Sequence, residues 1–190
     1  MYRLIAGFLI VTLCNIAFAQ EKTYTVDPDH TYPSFEADHM GISMWRGKLN
    51  KTTGSLTFDK ATGQGRVAVV MDLASIDFGN NDLNEWARGK DFFETEKYPQ
   101  ATYKGKFSGL TEQGPARVQG ELTLHGVTRL VELKINSFKC IPHPMLKREV
   151  CGADVAATFN RDDFGLSAGK DYGFNMDVHL QIQVEAIADK

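Results

Sequence analysis

The feature that most restricts this chain is a strict alternation near its C-terminus. Between Gly173 and Ala186, Phe174, Met176, Val178, Leu180, Ile182, Val184 and Ala186 take every second position, and Asn175, Asp177, His179, Gln181, Gln183 and Glu185 take those between. Successive side chains of a strand point to opposite faces, so a period of two predicts a strand with one apolar and one polar face. A strand wetted on one side belongs in an antiparallel sheet, because parallel sheets are covered on both. Its apolar face must then lie against other side chains or against something that is not protein.

The remaining segments repeat the pattern. Phe35, Ala37 and His39 alternate with polar residues after the Asp27-Pro28-Asp29 turn; Val67, Val69, Met71 and Leu73 share a face; and further strands are predicted over 101–110, 116–125 and 127–138, then through Val155, Ala157 and Phe159. One helix is expected, capped by Asn80 or Asn81, with Leu83, Trp86 and Ala87 on one side and Gly89 at its end. Asp91-Phe92-Phe93 and Tyr98-Pro99 form an aromatic-rich loop, where the paired phenylalanines either plug the core or line the rim of a pocket. About eight strands with evenly spaced turns predict an all-β, antiparallel barrel or sandwich with one short helix.

Residues 1–19 have the organisation of a secretory signal peptide. Arg3 precedes the apolar run Leu4 to Leu13, and Ala17-Phe18-Ala19 is a small-x-small cleavage pattern. The run is short for a membrane span, so an integral membrane protein is not expected. Cys14 would leave with the signal. Cleavage after Ala19 leaves 171 of the 190 residues, one domain, with 20 Lys and Arg against 24 Asp and Glu once Arg3 is gone. A mildly acidic chain without charge runs offers no footprint for nucleic acid.

Export places Cys140 and Cys151 in an oxidising compartment. They flank a segment with Pro142 and Pro144, which speak against a regular strand throughout, and a disulfide closing this loop is predicted. A redox-active pair would need the closer Cys-x-x-Cys spacing.

Catalytic patterns are missing. There is no Gly-x-Ser-x-Gly elbow, Gly165 to Asp171 fails the spacing of a phosphate loop, and no histidines pair at i, i+4 for a metal. Neither a catalytic residue nor a metal or cofactor is expected. His39 shares parity with Phe35 and Ala37 and is either a hydrogen-bonded core residue or a contact for a polar head group. Bulky inward residues interleave with Ala37, Gly47, Gly105, Gly120 and Ala157. Such a set either packs solidly or leaves a carbon-walled channel. A channel of this kind would suit a hydrocarbon chain but not a sugar or nucleotide, whose polar groups would be buried without partners.

Several strings of the sequence are also familiar. Tyr24-x-Val26-Asp27-x-x-His30, Gly54-Ser55-Leu56-Thr57-Phe58-Asp59, Asp91-Phe92-Phe93 through Tyr98-Pro99-x-Ala101-Thr102, Leu122-Thr123-Leu124-His125-Gly126-Val127-Thr128 and Phe159-Asn160-Arg161-x-Asp163-Phe164-Gly165-Leu166 resemble, in order, the YceI-like family. Thr31 and Leu130 depart from that pattern, standing where serine and proline are expected. The resemblance implies a lipocalin-like eight-stranded barrel in the bacterial periplasm that binds a polyisoprenoid or similar long-chain lipid, such as a quinone or its precursor, in its lumen. On this basis Phe35, His39, Phe107, Leu122, Leu124, Val131, Phe159, Phe174 and Met176 are expected to contact the ligand, with Trp86, Phe92 and Phe93 near the entrance. Gly120→Leu should narrow the lumen and leave the fold intact. An enzyme using His30 or His39 as a general base and a solid-core scaffold binding partner proteins through the disulfide loop are the alternatives, and a homodimer stays open.

Overall fold

Eleven antiparallel strands and one α-helix are seen in a computed structural model that describes residues 21–190. The expected signal peptide, its cleavage after Ala19 and Cys14 lie outside the described residues. The strands are β1 (Lys22–Val26), β2 (Tyr32–His39), β3 (Ser43–Leu49), β4 (Thr52–Phe58), β5 (Gly65–Asp72), β6 (Ile76–Asp77), β7 (Gln100–Thr111), β8 (Gly114–Leu124), β9 (Val127–Pro142), β10 (Glu149–Asn160) and β11 (Asp177–Ala188), and α1 is Asn81–Arg88. Eight of them, in the order β1-β4-β5-β7-β8-β9-β10-β11, close into a barrel through the pairing of β11 with β1. β2, β3 and β6 continue the sheet beyond β11 as an extension.

β11 is the strand on which both parts meet. Its C-terminal residues Ala186 to Ala188 pair with β1, and Val178 to Gln183 pair with β2. A 3-10 turn at Pro28–His30 lets one edge continue from β1 into β2. Thr31, buried at the junction, keeps the hydroxyl that the family pattern wants. It donates to the Glu185 carbonyl and accepts from the Glu185 amide, both at 3.2 Å.

The alternation is longer than the strand at one end. β11 begins at Asp177, so Phe174 and Met176 precede it. Gly169 and Gly173 adopt φ of 84° and 81°, the Asn175 side chain accepts from the Asp177 amide, and the Met176 carbonyl accepts from the Arg161 amide. Turn geometry and that bond take Phe174 and Met176 out of the ladder although their periodicity is that of the strand.

The prolines stop the strand as expected: Pro142 is the last residue of β9, paired with Glu149, and residues 143–148 form the turn into β10. Cys140 and Cys151 are directly opposed across these strands and form a disulfide, so the bridge staples a hairpin rather than closing an irregular loop. A bulge leaves Asn136 unpaired between the Asp154–Ser137 and Val155–Ile135 pairs. The extra residue switches the inward parity from Ile135 to Phe138.

The expectation for Gly120 is corrected. A Cβ there would lie 2.4 Å from the Lys104 carbonyl oxygen and 2.6 Å from the Tyr103 hydroxyl, and one at Gly105 would lie 3.1 Å from the Tyr103 ring. The Tyr103 ring crosses the barrel wall over these glycines, and its hydroxyl donates to the carbonyls of Val131 (2.9 Å) and Val118 (3.2 Å). Phe35 covers Gly47 in the same way. These small residues are seats for aromatic rings, not gaps in the wall.

The barrel end formed by β1, β4 and the disulfide hairpin is plugged. Tyr24, Phe58, Cys151, Ala186 and Ala188 form a buried cluster there, and the Tyr24 hydroxyl donates to Glu149 at 2.6 Å. Partial burial raises the Glu149 carboxyl, but hydrogen bonds from Lys60 and Tyr24 and the charges of Lys60 and Lys22 outweigh it and hold it below the ordinary value of 4.5.

Gly120→Leu is therefore expected to displace Tyr103 and to destabilise the protein by about 2–4 kcal/mol, from overpacking together with lost hydrogen bonds; an unchanged urea midpoint would show that the ring does not depend on this glycine. Glu149 should set part of the acid stability. Because its folded-state pKa is depressed, its contribution is complete above the ordinary carboxyl range and is lost as the pH falls through the folded value. Equilibrium unfolding between neutral pH and pH ~3 should show a shallower decline for Glu149→Gln than for the wild type.

Candidate ligand cavity

The inward faces of the strands do not fill the barrel. They enclose a cavity of ≈ 240 Å³ whose walls are almost wholly carbon. β11 contributes Val178, Leu180, Ile182, Val184 and Ala186 to the wall, eight residue steps from first to last. At about 3.3 Å per residue this is a slot about 26 Å long. One end is stopped by the Tyr24 and Phe58 cluster, so the opening lies at the other.

The helix and the aromatic loop shape that opening. Asn80 caps α1 by accepting from the Leu83 amide at 3.0 Å, and buried Asn84 accepts from the Phe78 amide at 2.7 Å, tying α1 to the chain after β6. The following loop folds back on the helix end through Phe93 N–H to Ala87 O (3.0 Å) and Glu94 N–H to Gly89 O (2.8 Å). Trp86 then stacks on Phe92 with ring centres 5.0 Å apart, and Phe92 touches Phe93. Trp86 is 39% exposed while Phe93 is buried in the core, so the segment forms a rim on one side and a plug on the other. Trp45 and Phe174, with ring centres 6.4 Å apart, also line the cavity.

Of the residues expected to face the ligand, Phe35, Trp86, Phe92, Phe93, Phe107, Leu122, Leu124, Val131, Phe159 and Phe174 line this cavity. His39 and Met176 do not. The His39 ring lies stacked on Trp45 (4.2 Å) with its edge to Phe174 (5.0 Å), behind the residues that form the wall. Met176 is buried in the turn before β11. His30 is also away from the cavity, in a surface ion pair with Asp27 at 2.9 Å. Asp27, His30 and Glu185 bring polar atoms within 4.8 Å of one another, but an exposed pair of this kind needs no cation.

The polar lining was not legible as such in the sequence. Asp38, Thr52, Tyr103 and Arg161 all reach the cavity. The Asp38 carboxylate is taken up by the amides of Gly41 (3.0 Å) and Asn175 (2.9 Å). Thr52 is buried, and its hydroxyl has no partner among the described residues. Arg161 is only 6% exposed, donates to the carbonyls of Leu166 and Ala168, and holds its guanidinium 5.7 Å from the centre of the Phe92 ring. Burial lowers its pKa, and the nearby Asp162 only partly opposes this. Arg161 sits one residue past β10 in a polar turn, where a sequence suggests a solvated side chain.

A profile described as the YceI-like domain matches residues 24–186. A UPF0312 protein of Vibrio parahaemolyticus is 31% identical over 134 residues, which cover 69% of this chain and 71% of the relative. Among solved structures, Burkholderia cenocepacia BcnA is similar with a TM-score of 0.67 at 24% identity, covering 84% of this chain and 98% of that one. A polyisoprenoid binding domain from Saccharophagus degradans has a TM-score of 0.64 at 19% identity, covering 87% and 98%. At these identities the two structures show a shared fold. Among the described residues no helix is long and apolar enough to cross a membrane.

Leu180 points into open cavity where Gly120 faces a packed ring, and the two positions should respond differently. Leu180→Trp is expected to weaken binding of an uncharged naphthylamine dye about tenfold or more while changing stability by less than about 1 kcal/mol. Dye titration and urea unfolding on the same samples would check both parts.

Proposed function

Since the chain belongs to the YceI-like domain family, we propose that it is an exported, non-enzymatic carrier or sequestering protein that holds a polyisoprenoid or similar long-chain amphiphile in its barrel. The observation that carries this reading is the carbon-walled slot, closed at one end and rimmed by Trp86, Phe92 and Phe174 at the other. Burying a methylene stabilises by about 0.8 kcal/mol, so ten would contribute roughly 8 kcal/mol before the costs of association. Little polar recognition is needed for useful affinity. The description of the Saccharophagus relative as a polyisoprenoid binding domain points to the same class of ligand. A quinone or its precursor has a suitable tail.

Three features support a periplasmic, non-catalytic role. The Cys140–Cys151 bridge suits an oxidising compartment, as does the signal pattern of residues 1–19. Neither His30 nor His39 lines the cavity, whereas a general base must come within hydrogen-bond reach of its substrate.

Native mass spectrometry of the protein purified from the periplasm without detergent should show a stoichiometric adduct that solvent extraction releases as a prenyl or other long-chain lipid. A bare mass that stays unchanged after incubation with quinones, prenols and fatty acids would overturn the carrier reading.

A further inference from the structure

Arg161 is out of keeping with the rest of the cavity. It is the cationic side chain among residues whose inward atoms are otherwise nearly all carbon, and at 6% exposure it has left most of its water. Among the described residues it has no carboxylate partner. Asp162, its chain neighbour, is paired with Lys170, and Asp38, the acidic group that also reaches the cavity, is held by the Gly41 and Asn175 amides. A guanidinium offers five N–H donors in a planar fork. Two are used on the Leu166 and Ala168 carbonyls, one from each terminal nitrogen. The others have no acceptor among the described residues, and none of its nitrogens is both sealed from solvent and unpartnered.

A buried cation answered only by carbonyl dipoles and the face of Phe92 is electrostatically incomplete. An anion beside it would regain the desolvation cost and gain charge-assisted hydrogen bonds. The position also fits. Arg161 lies under Phe92, at the open end of the slot, where a head group would stop once its tail had filled the barrel.

We propose that Arg161 is the head-group receptor of this cavity and that the ligand is a long-chain lipid ending in an oxyanion, a phosphate ester or a carboxylate, in preference to a neutral alcohol or quinone. This rests on the lipid-carrier reading and narrows its ligand class. The two hydrogen bonds to Leu166 and Ala168 hold the fork in place by closing the turn after β10, so an anion binding there need not order the side chain first.

The test uses the delipidated mature protein and two matched pairs of probes, farnesyl phosphate with farnesol and palmitate with hexadecanol, in competition with an uncharged dye at neutral pH. In the wild type the acidic member of each pair should bind about tenfold or more tightly than its neutral counterpart, the range expected for a charge-assisted hydrogen bond. A preference in the first pair alone assigns a phosphate ester, and one in both assigns oxyanions generally. Arg161→Gln should weaken only the acidic probes and leave the alcohols unchanged, while Arg161→Lys keeps part of the preference. Equal binding within both pairs by the wild type, or equal weakening of acid and alcohol in Arg161→Gln, would overturn the proposal and leave the arginine a brace for its turn. Should Arg161→Gln fail to fold, the wild-type ratios and Arg161→Lys decide. If dye and alcohols bind but the acids gain nothing, the head-group assignment alone fails; if nothing binds, the carrier reading falls with it.

Discussion

Barrel and extension depend on one strand serving two partners. β11 gives its last residues to β1, which closes the barrel, and its first half to β2, which begins the extension. The same row of side chains, Val178 to Ala186, then forms one continuous wall from the open end to the plugged end. A shift of one residue in this register would turn that row outward. The reciprocal bonds between Thr31 and Glu185 sit at the junction where such a slip would begin.

Closure by itself would leave the lumen shape undecided, because an eight-stranded barrel can be filled or hollow. Here the filling is local. Tyr103 spans the wall over Gly105 and Gly120, Phe35 covers Gly47, and the Tyr24 and Phe58 cluster stops one end. Between them the aliphatic residues of β5, β8, β9 and β11 line the cavity. The cavity is therefore the space left between fixed aromatic plugs, and its mouth is set by α1 and the loop that folds back onto it.

The site was legible in the sequence as far as side-chain parity extends. Phe35, Phe107, Leu122, Leu124, Val131 and Phe159 lie on regular strands, and alternation alone turns them inward. His39 and Met176 share that parity but not the outcome, one displaced by its stacking on Trp45 and the other by a turn that ends the ladder. The exposed Leu130 departs from the family pattern without consequence for the lumen, since it stands on the outer face of β9. Arg161 has no period to betray it, because it follows a strand instead of lying within one.

What the sequence determined by itself is local and repetitive: the period-two faces, the capped helix from Asn81 to Arg88, and a cysteine pair within reach of one another. These follow from backbone geometry acting over a few residues. Only the tertiary structure decided which small residues are seats and which wall positions are open, because that depends on groups brought together from distant strands. The Tyr103 hydroxyl reaches Val131 across 28 residues of sequence, and Arg161, in the turn after β10, meets Phe92 of the loop after α1. Periodicity shows which way a side chain points; what it meets there is set by the closure of the sheet.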